Sequence, residues 1–276
     1  MTFNQVSTAQ PQLNNYHVDL EGCSIFYTQG GLKSDPTPIL FLHGWGISAA
    51  PYHEMLKLLA QHYPVLAPDL PSFARSSCSN LIPDYDSYAK FLSSFLDTLN
   101  IQQVHLVGHS FGGGIAIALS ALAPDRVKSV VLVDSTGIPS VSILEAVPRR
   151  TIEMIAQFFL PGLKLKLIDI PQIFFSNLLF NTGNVIQALL LSLQVDLRDL
   201  LPKIKAPCLL IWSEKDLTTL ITAAREMAAR IPNSRLTTVE EGWHEWGLWY
   251  PEKLTSIMLN FIRQVQCAHA VTVGRS

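Results

Sequence analysis

Charge is scarce in this chain: Asp, Glu, Lys and Arg make up only 15% of its 276 residues, and the formal balance is −2. No run of Lys and Arg occurs, so there is no basic surface for a phosphate backbone, and a nucleic-acid partner is not expected. Cysteines at metal-ligand spacing are missing too. Cys23, Cys78, Cys208 and Cys267 lie far apart with no C-x-x-C pair, which points to neither a zinc site nor a disulfide framework and leaves buried or idle thiols as the expectation. The first fifteen residues lack the basic start and apolar stretch of a secretory signal, so the expected location is cytoplasmic. The greasiest stretch, Phe158 to Phe180, is broken by Pro161, Gly162, Lys164, Lys166, Asp169 and Pro171, which argues against stable membrane insertion. No G-x-G-x-x-G follows a strand, and His17, His53, His62, His105 and His269 lack ligand spacing; neither a cofactor nor a metal is expected.

What is abundant is apolar. Such residues make up 48% of the chain, enough for a large core, and the length suits one α/β domain carrying an insertion. Short apolar or β-branched runs at Ile25 to Thr28, Ile39 to Leu42, Val65 to Ala67, Val104 to Val107, Val130 to Val133 and Leu209 to Trp212 predict strands, several of them continuously apolar as buried parallel strands are. Between two of them, Tyr88, Phe91, Leu92, Phe95, Leu96 and Leu99 follow helical spacing, with Asp84 or Asp86 placed to cap the start. This alternation predicts a mostly parallel sheet covered on both faces, with an antiparallel edge around Tyr16 to Leu20 and Cys23 to Thr28. It divides the chain into a tail over 1–15, a core over 16–136 and 201–266, a helical cap insertion over 137–200 and a second tail over 267–276.

The densest chemical signal is Gly108-His109-Ser110-Phe111-Gly112, which follows the run Val104 to Val107 and opens a helical stretch. A sharp strand-to-helix turn exposes a serine hydroxyl, and glycines two before and two after relieve the crowding it creates. Serine needs a base to take its proton and a carboxylate to orient that base. Asp216 lies in the loop after Leu209 to Ser213, and His244 lies between a predicted strand, Arg235 to Val239, and the last helix. Asp134 also ends a predicted strand and is the second candidate acid; because Ser135-Thr136-Gly137 leads straight into the insertion, its expected role is to anchor the cap.

With these residues in place, the chain resembles the α/β-hydrolase superfamily over about residues 16 to 266, and in particular its capped, single-domain esterase-like members. His43-Gly44-Trp45-Gly46 resembles the oxyanion loop, Ala67-Pro68-Asp69-Leu70-Pro71 and Val131-Leu132-Val133-Asp134-Ser135 add to the likeness, and the order Ser, Asp, His is the one such proteins have. The resemblance implies an α/β-hydrolase fold and a cofactor-independent serine carboxylesterase, with Ser110 as nucleophile, His244 as base, Asp216 as its orienting acid and the backbone N–H groups of Trp45 and Phe111 as oxyanion hole. One departure is Pro71-Ser72-Phe73-Ala74-Arg75, where glycines are common in the superfamily; angles open to glycine are costly for Ser72 and Ala74, which puts the shape of this loop in question.

Phenylalanines in the insertion, Phe158 and Phe174 among them, are expected to line a pocket for an apolar acyl ester, with His109 as a further lining or structural residue. Other reactions stay open on the same triad: carbon–carbon bond hydrolysis, perhydrolysis, or an aminopeptidase-like activity in which Glu145 or Glu153 binds an amine. A non-catalytic ligand receptor on this scaffold is the alternative of another class.

Overall fold

A computed structural model describes residues 12–32, 37–158 and 166–273. In chain order the strands are β1 (Leu13–Leu20), β2 (Cys23–Gly30), β3 (Ile39–Leu42), β4 (Val65–Pro68), β5 (Ser77–Cys78), β6 (Val104–His109), β7 (Val127–Val133), β8 (Cys208–Ser213) and β9 (Ser234–Val239). The helices are α1 (His53–Ala60), α2 (Tyr85–Thr98), α3 (Phe111–Leu122), α4 (Ile143–Phe158), α5 (Lys166–Phe180), α6 (Thr182–Gln194), α7 (Ile221–Arg230), α8 (Trp246–Trp249) and α9 (Pro251–Val273). The sheet order is β1-β2-β4-β3-β6-β7-β8-β9. β1 and β2 form the antiparallel edge, β2 pairs antiparallel with β4, and the strands from β4 onward run parallel.

The parallel strands alternate between two apolar clusters, because successive side chains leave a strand on opposite faces. Leu40, Leu42, Leu106, Val130, Leu132, Leu210 and Trp212 meet α2, α3 and α7 on one side. Ile39, Phe41, Val107, Val131, Val133 and Ile211 meet α1 and α9 on the other. α3 is buried from Phe111 to Ser120, as its lack of any charged residue allows. Asp84 caps α2 by accepting from Ser87 N at 2.7 Å, an arrangement worth about 1 kcal/mol. These two sealed faces hold the C-terminal ends of β6, β7 and β8 side by side, and the loops that follow them meet there.

The stretch 137–200 contributes α4, α5 and α6, and no strand among its described residues. α5 and α6 carry no charged residue between Pro171 and Gln194, yet they are bent by 111°, and among the described residues no single helix is long and apolar enough to cross a membrane. Both tails differ from expectation. β1 begins at Leu13 because its whole length pairs with β2, and α9 continues through the expected tail to Val273.

The cysteine expectation is overturned. Cys23 and Cys78 form a disulfide, while Cys208 is buried and free and Cys267 is exposed and free. The cause is topological: the short β5 pairs antiparallel with the start of β2 and sets the two residues directly opposite each other. A separation of 55 residues carries no local spacing signal, so only the sheet register reveals it. In the chain-entropy account a cross-link closing such a loop stabilises by roughly 4 kcal/mol. Thiol titration of the denatured chain should therefore find two free groups before reduction and four after it. Cys78→Ser should lower the unfolding free energy by about 2–4 kcal/mol, and four thiols in the unreduced chain would refute the pairing.

Candidate active site

Ser110 stands between the last residue of β6 and the first of α3 with φ 54° and ψ −118°. A side chain rarely adopts these angles, and the chain holds them because its neighbours allow no bulk. A Cβ on Gly108 would lie 2.4 Å from Gly112 O, and one on Gly112 would lie 2.3 Å from Leu42 O. Ser110 O accepts from the Gly113 and Thr136 amides, and Ser110 N donates to Val133 O, so the turn is tied to β7 as well.

The loops after β8 and β9 bring their side chains to this turn. His244 Nε2 lies 2.8 Å from Ser110 Oγ, and His244 Nδ1 lies 2.8 Å from Asp216 Oδ2. Asp216 also accepts from the amides of Thr218 and Thr219 through Oδ1 and from Thr219 Oγ1 through Oδ2. Burial pushes the Asp216 carboxyl up, but His244 and these hydrogen bonds outweigh it, and its pKa lies below the ordinary value. All three side chains are buried or nearly so. The arrangement can move a proton from a hydroxyl to an imidazole whose orientation a carboxylate fixes.

His109 lines the cavity above Ser110 and does more than line it. Its Nε2 donates to His244 O at 3.0 Å, and its Nδ1 accepts from Tyr52 OH at 2.7 Å, so both ring nitrogens are committed in the neutral form. Burial, with His244 beside it, pushes its pKa down to about 3. Burial raises the Tyr52 phenol, which keeps its proton to donate.

Asp134 does not anchor the cap. It accepts from Ser213 N at 2.8 Å and from Trp246 Nε1 at 2.7 Å, which joins the start of the Asp216 loop to the residue two beyond His244. Burial and the neighbouring Asp216 charge raise its pKa well above the ordinary carboxyl value.

The turn after β3 packs against the nucleophile: a Cβ on Gly44 would touch the His109 ring and Ser110 Cβ, at 3.1 and 3.4 Å. Phe111 follows Ser110 directly, and Trp45 follows Gly44. His43 holds this turn by donating through Nδ1 to Gly44 O and accepting Leu70 N at Nε2. The loop in question after β4 keeps left-handed angles without glycine, with φ 63° at Ser72 and 50° at Ala74. Its surroundings over-determine it. Arg75 forks onto Asp69, Ser76 Oγ donates to Asp69 O, and Ala74 N donates to Oδ1 of Asn177 in α5.

A cavity of about 360 Å³ opens over Ser110, with a wall that is mostly apolar. Ile138, Val141, Leu189, Leu193, Leu248 and Trp249 supply much of it. The phenylalanine expectation is corrected here. Phe174 packs edge-on against Trp45, with centroids 5.3 Å apart, and covers Gly46 instead of facing the cavity, while the side chain of Phe158 lies outside the described residues. Glu145 is bound to Ser142 at the start of α4, and Glu153 is fully buried beneath it; neither lines the cavity. Sequence reasoning missed Arg150 and Glu245, which do line it; their pairing joins residues 95 apart, and only the fact that Glu245 follows His244 hinted at a role.

The family profile described as the alpha/beta hydrolase fold matches residues 37–168. A dihydrolipoyllysine-residue acetyltransferase component of an acetoin cleaving system, from Cupriavidus necator, is 37% identical over 43% of this chain, a stretch that is 31% of that relative's length. An uncharacterized hydrolase, YugF, from Bacillus subtilis is 25% identical over 88% of this chain and 96% of its own. Among solved structures, a putative lipase from Acinetobacter baumannii superposes with a TM-score of 0.80, covering 93% of each chain at 21% identity. The fold of this chain is therefore that of the α/β hydrolases.

The low His109 pKa has a consequence for stability. An unfolded imidazole binds a proton below about pH 6.5, whereas the folded one resists until about 3. Across that window the unfolded chain binds more protons, so this residue makes the fold less stable as pH falls. His109→Gln keeps an N–H for His244 O and cannot titrate, so between about pH 6.5 and about pH 4 it should lose less stability than the parent chain in denaturant melts. An equal loss in both would show that His109 is not held neutral.

Proposed function

We propose that this protein is a cofactor-independent serine hydrolase that cleaves esters of small to medium apolar acids. The reading rests above all on one observation, the continuous run of 2.8 Å contacts from Asp216 through His244 to Ser110. Ser110 Oγ attacks the ester carbonyl as His244 Nε2 takes its proton, and the amides of Trp45 and Phe111 receive the oxyanion. The C–O bond breaks as His244 returns the proton to the leaving alcohol, leaving an acyl-serine. Water, deprotonated by the same imidazole, then releases the acid and restores the hydroxyl. Asp216 holds the Nδ1–H tautomer and stabilises the imidazolium throughout.

The mostly apolar cavity wall supports an apolar acyl or alkyl group. Against an amine-binding reading stand Glu145 and Glu153, both engaged away from the cavity. The Cys23–Cys78 bond favours an oxidising compartment over the cytoplasm.

Ser110→Ala should leave circular dichroism unchanged and abolish both ester turnover and labelling by a fluorophosphonate; retention of more than about a hundredth of the parent rate would rule out the covalent route. Asp216→Asn should reduce kcat by orders of magnitude, the corresponding change in a chymotrypsin-type triad costing about ten-thousandfold. With p-nitrophenyl esters of rising acyl length, kcat/KM should increase, each buried methylene contributing up to about 0.8 kcal/mol. Leu193→Ala should flatten that series. Indifference to chain length would remove the apolar acyl site.

A further inference from the structure

The cap is wired to the loops beneath it by charge. Glu153, midway along α4, is completely buried, and its carboxylate accepts from Leu217 N at 2.6 Å and from Thr218 Oγ1. Leu217 and Thr218 are the two residues after Asp216. One turn earlier on α4, Arg150 donates to Glu153 at 3.2 Å and forks onto both carboxylate oxygens of Glu245, the residue after His244. A single helical turn of the cap therefore grips the loop of the proposed acid and the loop of the proposed base. A buried carboxylate is tolerated only when donors surround it, and here the donors come from the acid loop and from Arg150. The planar guanidinium binds its partner at two points, which fixes direction as well as distance.

We propose that Glu153 and Arg150 are positioning residues that align Asp216 and His244 through the loops that carry them. This rests on the serine-hydrolase reading. Neither residue touches the reacting atoms: Glu153 acts through the amide of Leu217 and the hydroxyl of Thr218, and Arg150 acts through Glu245. Glu153 does not line the cavity, so its loss leaves the wall in place and lets the acid and base loops wander, and a misplacement of about 1 Å at such a site can cost on the order of a hundredfold in rate. The cap of this protein is thus part of the catalytic framework as well as a cover.

The test uses the full chain, with the rate of Ser110 phosphonylation by a fluorophosphonate and steady-state kinetics on p-nitrophenyl butyrate. Glu153→Ala should slow phosphonylation and kcat by roughly 10- to 100-fold while KM moves less than about threefold. Glu153→Gln, whose amide can still accept from Leu217 N and donate to Thr218 Oγ1, should recover to within about threefold of the parent. A folded Glu153→Ala that is labelled at the parent rate, a loss confined to KM, or a Gln variant no better than Ala would overturn the inference. If Glu153→Ala does not fold, Thr218→Val and Arg150→Met take its place. Slowed labelling in both supports the grip, and parent-like labelling in either overturns it. A parent chain that is not labelled at all removes the serine-hydrolase reading and the inference with it, whereas a labelled parent with indifferent variants removes the inference alone.

Discussion

The backbone of Ser110 is the constraint on which the rest depends. Holding a side chain at φ 54° costs on the order of 1–3 kcal/mol, and the cost is met by making the turn the crossing point of β3, β6, β7 and α3. Gly108 and Gly112 let the strand, the helix and the end of β3 approach more closely than any Cβ would permit. What results is a hydroxyl displayed at the end of a rigid sheet, against which the less regular loops can be set. The neighbouring strands deliver those loops at fixed spacing because their register is pinned by apolar side chains on both faces.

The loops are held by polar contacts, although the chain is poor in charge. His43 ties the turn after β3 to the loop after β4, His109 ties the imidazole's own carbonyl to Tyr52, and Asp134 ties the loop after β8 to Trp246. Asn177 adds a clasp from α5, receiving Ala74 N and donating to Gly46 O. Each uses a side chain with both of its hydrogen-bonding ends occupied, which is how a loop without regular structure acquires a single shape.

Much of this was legible in the sequence, and the reason differs from residue to residue. Continuous apolar runs such as Val104 to Val107 announce buried parallel strands, and Gly108, Ser110 and Gly112 follow one of them at a spacing with few other uses. Asp216 and His244 stand out because each comes just after a strand. What escaped was long-range. The Cys23–Cys78 bond depends on the register of a two-residue strand, and the Arg150–Glu245 pair joins a helix of the insertion to a loop near the end of the chain. Phe174 misleads because apolar character alone does not say which side of a helix faces inward. Ser72 and Ala74 mislead in the other direction, since tertiary bonds impose on them angles that composition would not suggest.

Beneath the Ser110 hydroxyl ionisable side chains are crowded together, and burial pushes several of them toward their neutral forms. Burial and the Asp216 charge raise the Asp134 carboxyl well above its ordinary value, and burial lowers His43 and His109. Asp216 is left as the carrier of negative charge beside the imidazole. When that imidazole gains a proton, its charge and that of Asp216 cancel. A second ionised carboxylate at Asp134 would leave the Asp216–imidazolium pair beside an uncancelled negative charge.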